Sequence, residues 1–148
     1  ICLFNSEMNL FISGDQLLPR ISSNVSVFPT EPNADPLTDW IESCHRLHDD
    51  LPEDVLVLPA HNLPFRGAKA RLKALANGHE KALNRLSKRL AEPKTVVECF
   101  SAIFGRKIDG DLLSLATGET LAHLNCLVHR GLAKRMVGPD GLARYQLT

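Results

Sequence analysis

The sequence has no net charge. Lys+Arg and Asp+Glu stand at 17 each, so no overall field selects a nucleic acid, a membrane surface or an acidic partner. It also lacks any apolar run near the roughly 20 residues needed to cross a bilayer, which excludes a helical membrane span. It starts Ile1-Cys2-Leu3-Phe4, without Met and without a basic segment leading into an apolar one. That start does not read as a signal peptide, and the chain is expected to begin inside a longer protein. There is no Cys-x-x-Cys pair. Cys2, Cys44, Cys99 and Cys126 are far apart, a pattern that favours buried, reduced thiols and a cytoplasmic setting. What is present is an ordinary globular composition, 44% hydrophobic and 23% charged over 148 residues, enough for one domain or two small ones.

Two short apolar runs organise the chain. Asn9-Leu10-Phe11-Ile12-Ser13 stops at Gly14 with Asp15 at its tip, and Val55-Leu56-Val57-Leu58 leads through Pro59-Ala60 to His61. Each reads as a buried strand that delivers one side chain to its C-terminal end, where binding groups gather in α/β proteins. Ile1–Phe4 and Met8–Ser13 are expected to pair as an antiparallel hairpin across Asn5-Ser6-Glu7. Gln16–Leu18 is read as a short helical turn, and residues 20–36 as a long polar loop whose early part, Arg20, Ser22, Ser23 and Asn24, lines the cleft beside Asp15.

Pro36 opens a helix capped by Asp35, with Leu37, Trp40, Ile41, Cys44, Leu47 and Leu51 on one face. Residues 68–91 read as one long helix with the stripe Leu72, Leu75, His79, Leu83, Leu86 and Leu90. Its other face carries seven basic residues against Glu80 alone. Two readings stand: an anion-holding surface, with Arg66, Lys69, Arg71 and Lys73 as candidates, or a solvated helix face. His79 is expected to pack on the sheet with its ring satisfied by backbone, or to stand near the cleft as a supporting residue. His45 and His48, beside Asp49 and Asp50, read as surface residues or as a surface metal cluster.

Pro93 marks a joint between residues 1–92 and 93–148. Beyond it come a helix capped by Thr95, with Val96, Val97, Phe100, Ile103 and Phe104 as its core face; a second helix with Leu112, Leu113 and Leu115; a third starting at Gly118-Glu119-Thr120; and strands 134–137 and 142–146 joined by Gly138-Pro139-Asp140-Gly141. Three short helices and a terminal hairpin read as a small winged-helix-like domain. His123 reads as a core or domain-interface residue, His129 as surface.

A carboxylate can bridge two divalent ions and a neutral imidazole suits zinc, so Asp15 and His61 are candidate metal ligands. Ser13-Gly14-Asp15-Gln16-Leu17-Leu18-Pro19 resembles the fourth metal motif of the metallo-beta-lactamase superfamily, and Leu58-Pro59-Ala60-His61-Asn62 its fifth. Gly118-Glu119-Thr120-Leu121-Ala122-His123-Leu124 is similar to the C-terminal domain of the beta-lactamase-like protein 2 branch, related to glyoxalase II. The resemblance implies an α/β (α+β) architecture: the C-terminal half of an αββα sandwich, followed by the winged-helix-like domain. It implies a two-zinc hydrolase in which a metal-held hydroxide attacks an ester, thioester or phosphodiester, RNA included. Asp15 would bridge the ions and His61 would bind the second.

The family's His-x-His-x-Asp-His motif is missing. The chain is therefore expected to be the C-terminal half of the enzyme, to bind zinc weakly by itself and to be inactive alone. Its partners would be the N-terminal half and the substrate, with a further homo-oligomer through the uncovered sheet face. The alternative is a non-enzymatic winged-helix nucleic-acid-binding or interaction protein. Seven basic against five acidic residues over 94–148 are a weak electrostatic footprint, which argues against DNA.

Overall fold

The structure, a computed structural model, describes residues 1–148. The element order is β1 (Leu3–Asn5), β2 (Leu10–Gly14), α1 (Pro36–Asp50), β3 (Leu56–Pro59), α2 (Ala68–Arg89), α3 (Val96–Ile103), a 3-10 turn at Gly110–Leu112, α4 (Leu113–His129), β4 (Ala133–Val137) and β5 (Ala143–Leu147). Four α-helices and two small sheets make a mixed α/β chain. No helix is long and apolar enough to cross a membrane. The chain forms two compact units. The first contains Ile1–Ser23 and Ile41–Gly78, the second Asn24–Trp40 and His79–Thr148.

In the first unit β1 and β2 form the expected antiparallel hairpin, and β3 lies parallel to β2 on its other side. Register pairs Leu3 with Ile12 and Ile12 with Leu58 in one row, and Phe4 with Phe11 and Phe11 with Val57 in the other. Side chains alternate between faces along a strand, and in β2 and β3 the two faces differ. Phe11 and Val57 are buried with Leu17, Leu18, Ile41, Cys44, Val55, Leu72 and Leu75, whereas Ile12 is exposed and Leu58 half-buried; on the edge strand β1 both Leu3 and Phe4 are exposed. Gln16 and Leu17 form bends and Leu18 is irregular, rather than the expected helical turn, and Ser13 Oγ donates to Leu17 O at 2.8 Å.

The second unit is built around α4. Ala122, His123, Leu124, Asn125, Cys126 and Leu127 are buried consecutively, as in a helix enclosed on all sides. The two helices expected over 109–132 are one here. Gly118 lies inside α4, where a Cβ would come within 2.9 Å of Ser26 Cβ and Oγ. The glycine that resembled a helix start is instead a contact point for the chain at 26–27, and Val27 N donates to Gly118 O at 3.1 Å. Asn125 Nδ2 donates to Pro32 O and Ala34 O at 3.1 and 2.8 Å. Residues 24–35 are thus strapped to α4 rather than forming a free loop.

Thr95 and Glu98 make the first turn of α3, with Thr95 N donating to Glu98 Oε2 at 2.8 Å. The buried residues of α3 are Cys99, Phe100 and Ala102; of the expected face Phe100 is buried and Val96, Ile103 and Phe104 are half-buried, while Val97 is exposed, which corrects its expected place in the core. β4 and β5 pair antiparallel, and Lys94 exchanges backbone hydrogen bonds with Tyr145 at 2.9 and 2.8 Å, adding a third rung to that sheet. All four cysteines are unpaired. Cys44, Cys99 and Cys126 are buried, and burial pushes the Cys44 and Cys99 thiols up to about 11.

Candidate functional site

Parallel pairing of β2 with β3 carries Asp15 and His61 to the same end of the sheet. A register shift between Ile12 and Gly14 re-aims the end of β2, and Gly14 (φ +53°) adopts a left-handed backbone that favours glycine. Ala60 N donates to Gly14 O at 3.0 Å, tying the two strand ends together. The Ser23 hydroxyl bonds to the Asp15 carbonyl. Past His61 the backbone turns through Asn62 at φ +72°, a conformation asparagine tolerates better than most residues.

The result is a close contact between two solvent-facing groups. Asp15 Oδ1 lies 3.4 Å from His61 Nε2, with side chains 61% and 64% exposed. A charge-assisted N–H···O bond would be shorter, about 2.7–2.9 Å. Zinc–donor distances of roughly 2.0–2.2 Å at a tetrahedral angle put two donors about 3.4 Å apart. The donor types and their spacing therefore fit two ligands of one ion. They do not complete a site: no three His, Cys, Asp or Glu side chains group closely enough to hold a metal, and zinc takes at least three protein ligands.

The other candidates separate. Arg20 is exposed and lines a cavity of about 370 Å³ with Pro19, Asn62, Leu63, Pro64 and Phe65. Ser22 is exposed, and Ser23 is held to the Asp15 backbone. Asn24 belongs to the second unit, where its amide donates to Glu119 Oε2 at 3.1 Å.

Of the anion candidates, Arg71 is engaged with backbone: Nε donates to Leu18 O at 2.7 Å and Nη2 to Ile21 O at 2.8 Å. Arg66 donates to Asp54 O. Arg85, on the same basic helix, donates to Ala102 O at 3.0 Å. Lys69 is half-buried, while Lys73 is exposed and lines a separate cavity of about 460 Å³ with His45, His48, Asp49 and Asn77. His48 Nδ1 lies 3.0 Å from Asp49 Oδ1.

His79 does not satisfy its ring on backbone. Its Nδ1 lies 3.2 Å from His123 Nε2, and its ring meets Trp40 edge-on at 4.9 Å. His123 Nδ1 lies 2.8 Å from the Glu119 carbonyl oxygen, an acceptor only, so Nδ1 carries the proton there and Nε2 accepts from His79. Burial lowers the pKa of both rings, that of His123 to about 4. Burial raises the Glu119 carboxyl to about 7. Sequence reasoning missed Glu119, the pairing of the two histidines, and the part of Asn62, Leu63 and Phe65 in the Arg20 cavity. The only local signal was the placement of His79 and His123 within apolar stretches.

Comparisons with known proteins agree with the fold. Residues 83–148 match the family described as metallo-beta-lactamase-like, C-terminal domain. A beta-lactamase domain protein from Burkholderia ambifaria is 39% identical with a TM-score of 0.95, and the match covers 99% of this chain and 44% of that one. A metallo-beta-lactamase family protein from Thermus thermophilus is 29% identical with a TM-score of 0.83, covering 99% and 44%. The chain thus spans under half the length of these solved relatives. No curated protein matches. These likenesses do not favour the nucleic-acid-binding alternative. Over residues 83–148 the chain carries a metallo-beta-lactamase-like C-terminal domain.

Proposed function

We propose that this chain is the C-terminal part of a zinc-dependent hydrolase of the metallo-beta-lactamase fold, acting on an ester, thioester or phosphodiester. The observation that carries this reading is the 3.4 Å approach of Asp15 Oδ1 and His61 Nε2 at neighbouring parallel strand ends. Asp15 and His61 would hold zinc, Asp15 as the bridging carboxylate and His61 on the second ion. Bound there, the metal supplies Lewis-acid polarisation and an activated water. The chain's own contribution is positioning. Gly14 turns Asp15 off the strand axis, Ser23 restrains the Asp15 backbone, and Asn62 turns the chain beyond His61.

The exposed row Leu3–Ile12 supports a missing N-terminal half as the partner that covers this sheet face, since apolar faces of this kind mark interfaces. The Gly118–Leu124 motif supports the beta-lactamase-like protein 2, glyoxalase II-related branch. The order α3, α4, β4, β5 supports a winged-helix-like end with one helix fewer than the sequence suggested.

The test is made in the longer protein that carries this chain. Asp15→Ala and His61→Ala should each lose zinc together with hydrolysis of p-nitrophenyl acetate, an acyl thioester or bis(p-nitrophenyl) phosphate. Full zinc loading in the double variant would overturn the proposal.

A further inference from the structure

The segments that carry Asp15 and His61 do not end at those residues. Each continues into one wall of the 370 Å³ cavity: Pro19 and Arg20 on one side, Asn62 to Phe65 on the other. Both walls are fixed by bonds remote from any ligand. Arg71 holds Leu18 O and Ile21 O, the carbonyls that flank Pro19 and Arg20. Phe65 exchanges backbone hydrogen bonds with Val57 of β3 at 2.8 and 3.1 Å. Arg20, on the first wall, carries a guanidinium that makes no hydrogen bond or ion pair in the structure. The opposing surface is apolar and wet, with Leu63 78% exposed. A preformed concavity with one unengaged cation, one amide (Asn62) and an apolar wall has the composition of a small-molecule subsite. A planar guanidinium pairs with an oxyanion through two parallel hydrogen bonds.

We propose that Arg20, Asn62, Leu63 and Phe65 form a specificity subsite that captures a terminal oxyanion, carboxylate or phosphate, carried on a short apolar stem of the substrate. The inference rests on the hydrolase reading for its role beside the reaction centre. The subsite itself needs no metal, so it can be tested without one. Arg71 is a positioning residue for it, acting through the backbone on either side of Arg20. The substrate class that follows is an anionic ester, thioester or phosphodiester, in preference to a neutral one.

The experiment titrates the isotope-labelled chain, metal-free, with butyrate, monobutyl phosphate, inorganic phosphate and neutral butanamide, following the amide and Arg20 Nε–H resonances. Butyrate or monobutyl phosphate should shift Arg20, Asn62, Leu63 and Phe65. Whichever binds more tightly identifies the oxyanion as carboxylate or phosphate. Arg20→Gln should weaken the anionic probes about tenfold and leave butanamide unchanged, with partial recovery in Arg20→Lys. Inorganic phosphate should bind more weakly than monobutyl phosphate, because it lacks the stem. Equal anion affinities in Arg20→Gln and the parent chain, or shifts confined to other residues, would overturn the proposal. Zinc loading is read separately and these titrations contain no metal, so failure of the metal reading and failure of the subsite give different results.

Discussion

Two histidine contacts in this molecule have opposite construction. His61 meets Asp15 at 3.4 Å in solvent, each side chain more than half exposed. His79 meets His123 at 3.2 Å, both rings buried, with protons directed by a backbone carbonyl and an aromatic edge closing one side. The buried pair is bonded ring to ring inside the fold, and both His123 nitrogens are engaged. The exposed pair stands farther apart than a charge-assisted hydrogen bond, with both side chains open to solvent. A histidine in an apolar stripe served structure here, and a histidine beyond a strand end served the candidate site. Sequence position relative to the strand, rather than residue type, separated them.

The largest effect that sharpens this contrast is on stability. His123→Ala leaves the buried His79 N–H without its acceptor and opens space within α4, and should cost about 3–4 kcal/mol in urea unfolding. Asp15→Asn and His61→Ala, on the surface, should stay within about 0.5 kcal/mol. Similar losses at both sites would break the comparison.

The pH dependence comes next, and its sign differs between neighbours. Folding lowers the pKa of His79 and His123, so between the ordinary histidine value and about 4 the unfolded chain binds more protons. Stability therefore falls as pH drops through that window and levels off below it, with a slope of about 1.4 kcal/mol per pH unit for one proton. Glu119 is raised to about 7. It holds its proton longer in the folded chain, so its contribution is present at low pH and is lost as pH rises from about 4.5 through 7. The two trends oppose each other. Glu80 and Arg85 also bear on the ring charges. In Glu119→Gln the acid-side fall in melting temperature should steepen, and adding His79→Gln should flatten it. An unchanged profile in both variants would contradict the assigned pairing.

Two glycines give the smallest effects and a direct contrast. Gly118→Ala forces a Cβ to 2.9 Å from Ser26 and should destabilise by about 1 kcal/mol after its gain in helix propensity. Gly78→Ala meets nothing within 4 Å and should stabilise by about 0.5–1 kcal/mol. Thermal unfolding of both variants checks the pair.

These outcomes also mark what the sequence could reveal. The stripes of α1 and α2 and the hairpin β1–β2 were legible because their periodicity is local: Leu72, Leu75, His79, Leu83, Leu86 and Leu90 are all buried as expected. Asp15 and His61 were legible because each follows an apolar strand that stops abruptly. The single helix α4 was not, because Gly118 has the local signature of a helix boundary and its contact with Ser26 spans the chain. The histidine pair joins residues 44 apart in sequence, and the Arg20 cavity joins segments separated by some forty residues. Neither leaves a periodic trace. The carbonyl partners of Arg71 and Arg85 left no trace in the charge pattern of the basic helix, because such a partner is set by packing.

The central claim is that Asp15 and His61 are two donors of one metal site that this chain alone does not complete. It is tested most directly by competitive zinc titration of the 148-residue chain, with His48→Ala as a surface control. The account predicts weak binding, lost in Asp15→Asn and in His61→Ala and retained in the control. Tight stoichiometric binding, or binding indifferent to both substitutions, would contradict it.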